Sequence, residues 1–384
     1  MTQTKQLNEI LDIAKGKKVN VLNHKTKDSV PYLLIDTLRG KEPEFFTEDK
    51  KYTAANEQDI LMVFDGANSG LVGSGLNGAV GSTIGRLRPK KDIYSKYITY
   101  FLSYNFSSLN QDVKGSAIPH VKPKKLLDLK IRYPSKEEQQ LIVSEIEKQF
   151  SRLDESVKVL KSVKDKLQVY RKAVLKEAFE KINGRVSLYT IARIIDIDHK
   201  MPNKVENGIP FISPKDFFEP NGIDFDNAKN ISNEDFLRLS KKCNPEEGDI
   251  IYSRIGTIGK VRLAPNKVFQ ISYSLCLIKL NEKKDRDYIF WVLQSPEIFS
   301  YAHKSKKSIG VPDLGLTEIR NFQIPYTNNL KLQQEIVQEI ESKFSVIDKV
   351  EEVVNQSLIK SEKLRKSILK SAFEGKLVKF EEMK

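Results

Sequence analysis

The chain has 384 residues, enough for two or three domains that each bury a core of their own. With 39% hydrophobic and 30% charged residues the composition is that of a globular protein, and the longest apolar runs, such as YIFWVL at 288–293, are far too short to span a membrane. The net charge of +13 favours a polyanionic partner, nucleic acid first.

In chain order, residues 1–134 read as a mixed α+β domain. A short apolar pattern, LNEILDI, opens it. A strand-like run follows a proline in VPYLLID, and an acidic turn leads into a second strand in EQDILMVFDG. A proline-containing segment, IPHVKPKKLLDLKIRYP, closes the domain. The glycine run GSGLNG at 73–78 matches GxGxxG literally. It has neither a following helix nor an acidic residue at the usual distance, so it reads as a glycine-rich loop rather than a dinucleotide site.

Residues 135–182 predict one long helix. Ser135 and Glu138 form a capping box, and Asn183-Gly184 stops it. Ile146, Phe150, Leu153, Val157, Leu160, Leu167, Tyr170 and Val174 fall mostly at alternating spacings of three and four, the seam of a coiled coil. About 46 residues at 1.5 Å each make a rod of roughly 69 Å.

Residues 183–328 repeat the α+β order in LYTIARI, IPFISPKD, EGDIIYSRIG and VPDLGLTEIRNFQIPY. Residues 329–384 then supply a second long helix, with Ile336, Ile340, Phe344, Ile347, Val354, Leu364 and Ile368 on its seam and an end near Gly375. The helices are copies of one another. Positions 139–180 align with 333–374 without a gap, at an offset of 194 residues and with 19 identities. Such a period is far too long for a solenoid and marks the duplication of a whole module. Neither helix can bury its stripe alone. Internal pseudo-two-fold symmetry pairs them antiparallel, with a globular domain at each end. Phe150, Phe179, Phe344 and Phe373 belong to this packing. Charge supports the division of labour: residues 1–135 carry 21 basic and 14 acidic side chains, residues 136–181 only 11 and 9.

In this order of parts the chain resembles the specificity (S) subunit of type I restriction–modification systems. The residues that carry the resemblance are the helix starts EQQLIV and LQQEIV after proline-containing strands, the ending ILKSAFEGKLV, and the paired QDI and GDI strands. The first helix departs from the pattern by ending EAFEKINGRV. The resemblance implies two target-recognition domains, each reading half of a split site in double-stranded DNA, with the coiled coil as the ruler for the unread spacer. It also implies two methylation subunits docked on the chain, which transfer a methyl group from S-adenosylmethionine to adenine N6. Restriction subunits join them, using ATP and Mg. No cofactor is expected on this chain itself, which would be a non-catalytic, cytoplasmic subunit. The residues alone also admit a two-headed coiled-coil adaptor for another polyanion or a protein.

Loops rich in basic, amide and hydroxyl side chains are where DNA contact is expected. Three pairs stand out. The first joins His303, Lys304, Lys306, Lys307 and Ser308 with Lys114, Ser116 and His120. The second joins Arg254, Thr257 and Lys260 with Asn68 and Ser69. The third joins Arg39 and Lys41 with Lys215. The four histidines are scattered, and Cys243 and Cys276, 33 residues apart, have no metal or redox spacing. There is no P-loop, no methyltransferase Asn-Pro-Pro-Tyr motif and no nuclease carboxylate cluster to suggest catalysis.

Overall fold

A computed structural model describes residues 3–90, 93–109, 120–307 and 310–378. The chain divides into two units, residues 1–160 with 355–384 and residues 161–354, and the division passes through both long helices.

In the first unit Gln3–Gln6 pairs antiparallel with Lys130–Tyr133, so the globular segment closes on itself before the first long helix begins. Four antiparallel strands follow in the order Leu11–Lys15, Ile84–Pro89, Ile60–Val63, Val72–Ser74. Ile60–Val63 is central and buried at every position, which is why its sequence is continuously apolar rather than alternating. A second four-stranded sheet holds Val30–Leu33 parallel to Gly78–Val80. The GxGxxG run falls on Val72–Ser74, Gly78–Val80 and the turn between them. Strand rather than helix follows it, so the dinucleotide geometry is not built.

The second unit repeats this plan. Arg185–Ser187 pairs with Gln323–Pro325, and four antiparallel strands run in the order Ala192–Ile195, Leu275–Leu280, Ile250–Ser253, Val261–Leu263. Its other sheets have three strands, centred on Ile209–Ile212, and two, the short hairpin Phe217–Phe218 with Gly222–Ile223.

The long helices span Lys136–Glu180 and Leu330–Phe373. The expected capping box is present at the first: Glu138 N–H donates to Ser135 Oγ at 3.2 Å, and Ser135 N–H to Glu138 Oε2 at 2.9 Å. Opposite ends of the two helices enter each core. Ile142, Val143 and Ile146 meet Ile368, Leu369 and Ala372 in the first unit, and Val174, Ala178 and Phe179 meet Ile336, Ile340 and Phe344 in the second. Within each unit the helices therefore run antiparallel. Each fully buried Leu, Ile or Phe among them contributes roughly 1.5–3 kcal/mol, which propensity alone could not supply.

The helix contacts themselves are duplicated at the 194-residue offset. Arg171 Nη2 reaches Asp348 and, at 3.2 Å, Glu351 Oε2, with its guanidinium 5.0 Å from the Phe344 ring centre. Its counterpart Arg365 reaches Asp154 and lies 4.2 Å from the Phe150 ring centre. Phe179 packs edge-on against Tyr288 at 5.6 Å, and its counterpart Phe373 packs against Tyr97 at 5.3 Å. The four phenylalanines thus belong to packing, as expected. Two seam assignments need correction: Tyr170 and Leu364 are about half exposed. At this level the next residues, Arg171 and Arg365, turn toward the partner helix, which moves their apolar neighbours outward.

The repeated QQ at each helix start also acquires a cause. Gln139 and Gln333 are buried. Gln139 Nε2 donates to the Pro134 carbonyl at 3.0 Å, and its Oε1 accepts from Tyr94 N–H at 2.9 Å. Gln333 Nε2 donates to the Thr327 carbonyl at 2.8 Å. Each glutamine ties its helix to the strand that leads into it.

Candidate nucleic-acid interface

In both units one edge gathers three segments: the hairpin turn of the four-stranded sheet, the residues after a central strand of the second sheet, and the proline-containing segment. The turns are 64–71, between Ile60–Val63 and Val72–Ser74, and 254–260, between Ile250–Ser253 and Val261–Leu263. Gly66 and Gly70 in one, and Gly256 and Gly259 in the other, take positive φ, a conformation that side chains resist.

Within each unit, described loops expected from sequence come together here. Asp65 forms an isolated β-bridge with His120, and Ile255 forms the corresponding bridge with Asp313. In the first unit the Asp65 carboxylate contacts the His120 ring and, at 3.1 Å, Lys15 Nζ. Burial opposes ionisation of Asp65, but Lys15 and His120 more than offset it and hold its pKa below the usual range. Arg39 Nη2 donates to Asn68 Oδ1 at 2.6 Å, and Lys41 Nζ pairs with Asp36 Oδ2 at 3.1 Å. These contacts border a cavity of about 400 Å³ lined by Tyr32, Asp36, Glu44 and Phe45 besides Arg39 and Asn68. Arg39, Lys41 and His120 are exposed and Asn68 half-buried, whereas Ser69 is fully buried beneath the edge.

In the second unit Arg254 is also beneath the edge, only 4% exposed. Its Nη1 donates to Asp313 Oδ1 at 3.1 Å and its Nη2 to Asp196 Oδ1 at 3.3 Å, joining the hairpin turn to two other segments. Backbone bonds reinforce the junction, from Gly256 N–H to the Pro312 carbonyl at 2.8 Å and from Leu314 N–H to the Arg254 carbonyl at 2.9 Å. Its neighbours on the turn are better placed for contact. Thr257 is exposed, and Lys260 is half-buried with Nζ 3.5 Å from Glu219. Lys215, Lys304, Lys306 and Lys307 are exposed. The half-buried His303 ring stacks on Phe299 with centres 3.9 Å apart. Lys307 is held near the turn by paired backbone bonds with Asp313. Lys114, Ser116 and Ser308 lie outside the described residues.

The sequence reading missed the carboxylates Asp65, Asp196 and Asp313 and the cation Lys15. A basic, amide-rich filter passes over acids, and acids here hold the loops together. Among the described residues no group of His, Cys, Asp or Glu is arranged to hold a metal ion. Burial pushes the thiols of Cys243 and Cys276 up to about 12, far from the thiolate needed for reactivity. No described helix is long and apolar enough to cross a membrane.

Comparison with known proteins bears on the family and the fold. Residues 2–167 and 189–359 each match the family described as type I restriction modification DNA specificity domain. A type I restriction enzyme MjaVIII specificity subunit from Methanocaldococcus jannaschii is 27% identical, over 97% of this chain and 92% of its own length. Among solved structures, a chain from work on complex assembly and conformational transition of the type I R-M system covers 97% of this chain and 98% of its own, with a TM-score of 0.73 and 15% identity. The HsdS subunit from Thermoanaerobacter tengcongensis covers 97% of each chain, with a TM-score of 0.53 and 17% identity. At such identities the two structures speak for the fold.

Proposed function

The chain belongs to the type I restriction–modification DNA specificity family, carrying two copies of its domain, and from that premise we propose how its parts divide the work. Residues 1–134 and 183–328 are the two readers, each applying its three-segment edge to one half of a split site in double-stranded DNA. Arg39, Lys41, Asn68 and His120 serve one half-site. Lys215, Thr257, Lys260, His303, Lys304, Lys306 and Lys307 serve the other. Lys114, Ser116 and Ser308 are further DNA-contact candidates, on their sequence alone. Ser69 and Arg254 act from beneath, fixing the turns. The paired helices set the unread spacer and dock two methylation subunits, and restriction subunits complete the complex. This chain is the non-catalytic subunit: S-adenosylmethionine, ATP and Mg act on its partners, in the cytoplasm.

The observation that carries the reading is the chemical difference between two edges built on one plan. An Asp65–His120–Lys15 cluster occupies one and an Arg254–Asp313–Asp196 cluster the other. A duplicated frame with unlike edges reads two unlike half-sites, hence an asymmetric split motif. The test is an adenine-methylation map of cells expressing this chain with its methylation subunit, against cells lacking the chain. A split, asymmetric motif that vanishes with the chain is expected. An unchanged map, with the methylation subunit shown to be folded and bound, overturns the reading and returns the adaptor alternative.

A further inference from the structure

Among the apolar groups near the edge of the second unit, which polar readout does not use, one is an aromatic ring on a short hairpin. The hairpin Phe217–Phe218 with Gly222–Ile223 lies in the segment that also holds Lys215, and it places a large aromatic ring, Phe218, 55% exposed. Such a ring on a loop is commonly incidental. This one is held. Arg262, 2% exposed, donates from Nη2 to the Phe218 carbonyl at 2.9 Å and from Nε to the Gly222 carbonyl at 3.0 Å, clamping both strands of the hairpin. Its guanidinium sits 5.0 Å from the ring centre of Phe217, which is buried below. Gly222 leaves room for the ring to lie back on its own hairpin: a Cβ there would fall 2.1 Å from the Cε2 and Cζ atoms of Phe218. Lys260 of the hairpin turn reaches the same hairpin through Glu219 at 3.5 Å. A preset apolar surface thus lies beside cations suited to phosphate.

Counted from Pro31 and Pro210, Phe218 stands eight residues on, where the first unit has Arg39. Arginine is matched to the acceptors of guanine, whereas an apolar side chain is matched to the one apolar group in the major groove, the thymine 5-methyl. A ring tied back onto its own hairpin offers a surface to the groove rather than a free wedge between base pairs. We propose that Phe218 is a specificity-determining residue that recognises a thymine methyl group in the half-site read by the second unit. The inference rests on the division of reading proposed above.

The test uses the chain in complex with its methylation subunits and duplexes carrying the mapped motif, with each thymine of the second half-site replaced in turn by deoxyuridine. In the unmodified complex one such replacement weakens binding about fourfold, the value of one buried methyl group. In Phe218→Ala that thymine and deoxyuridine bind equally. Phe218→Leu keeps part of the discrimination. Gly222→Ala, which displaces the ring without removing it, loses it. Binding to the first half-site serves as the folding control and stays unchanged. Discrimination that survives in Phe218→Ala overturns the inference while leaving the two-reader account intact, as does a second half-site with no thymine on either strand. Equal losses in Phe218→Ala for thymine and deoxyuridine duplexes also overturn it, in favour of a wedge. Failure of the unmodified complex to prefer the motif over unrelated DNA overturns the reading beneath it.

Discussion

The two units are most alike where they hold the helices and least alike at their three-segment edges. Asp154 with Arg365 and Asp348 with Arg171 are the same ion pair made twice, each arginine lying over the same ring, Phe150 or Phe344. At the opposite extreme, a bridge between hairpin turn and proline segment survives in both units while its side chains change completely. The acid is on the turn in the first, as Asp65, and on the proline segment in the second, as Asp313. Backbone geometry is thus kept as a frame, and the side chains on it are exchanged. This is the arrangement expected if the helices do one task twice and the edges do two different tasks.

The contrast can be broken most sharply at Arg254. Replacing it with alanine leaves Asp196 and Asp313 without the guanidinium they share, at a cost of about 3 kcal/mol. That is the low end for a severed buried pair, since the Asp313 side chain is half exposed. Denaturant unfolding should show the loss, and methylation mapping should show the second half-site degraded with the first intact. Loss of both halves would mean that the edges are not independent.

A smaller effect tests the likeness of the helix clamps. Arg171 is 15% exposed and faces two carboxylates, whereas Arg365 is 39% exposed and faces one. Alanine at 171 should cost about 2 kcal/mol and at 365 about 1 kcal/mol or less, because exposed pairs are screened by water. Double-mutant cycles with Asp348 and Asp154 would measure each coupling. Equal couplings would show that burial differs without consequence.

The third test uses pH. The Asp65 pKa is lowered in the folded chain, so its pairing with Lys15 and His120 contributes stability above the unfolded value of about 3.9 and loses it as pH falls through the lower folded value. A melting curve followed from pH 7 to pH 3 should therefore lose stability at the acid end. Asp65→Asn should remove that part of the loss. An identical profile in both proteins would refute the role of the cluster.

The smallest effect belongs to the exposed lysines. Lys306→Ala should weaken binding equally across sequences and reduce the salt slope by about 0.9, one phosphate contact. A change confined to one sequence would make Lys306 a base reader instead.

Much of this architecture is legible in the sequence because duplication prints it there. Apolar spacing marks both helices, and the offset of 194 residues implies their pairing. Tyr170 and Leu364 were misplaced on the seam because periodicity counts apolar residues and cannot register an arginine packing on a ring. The latches of the edges were illegible for another reason. Asp65 lies 55 residues from His120, and Arg254 lies 59 from Asp313 and 58 from Asp196, so no local spacing joins them. Nor does polarity tell which side chains of a loop face outward. Ser69 and Arg254 have the polarity of contact residues and the burial of core.

The central claim is that two separate readers sit on one repeated frame. The most direct test replaces residues 1–134 with a second copy of 183–328 and maps adenine methylation in cells carrying this chimera with the methylation subunit. The account predicts a symmetric motif, the second half-site present twice as an inverted repeat. Persistence of the original first half-site in that map would contradict it.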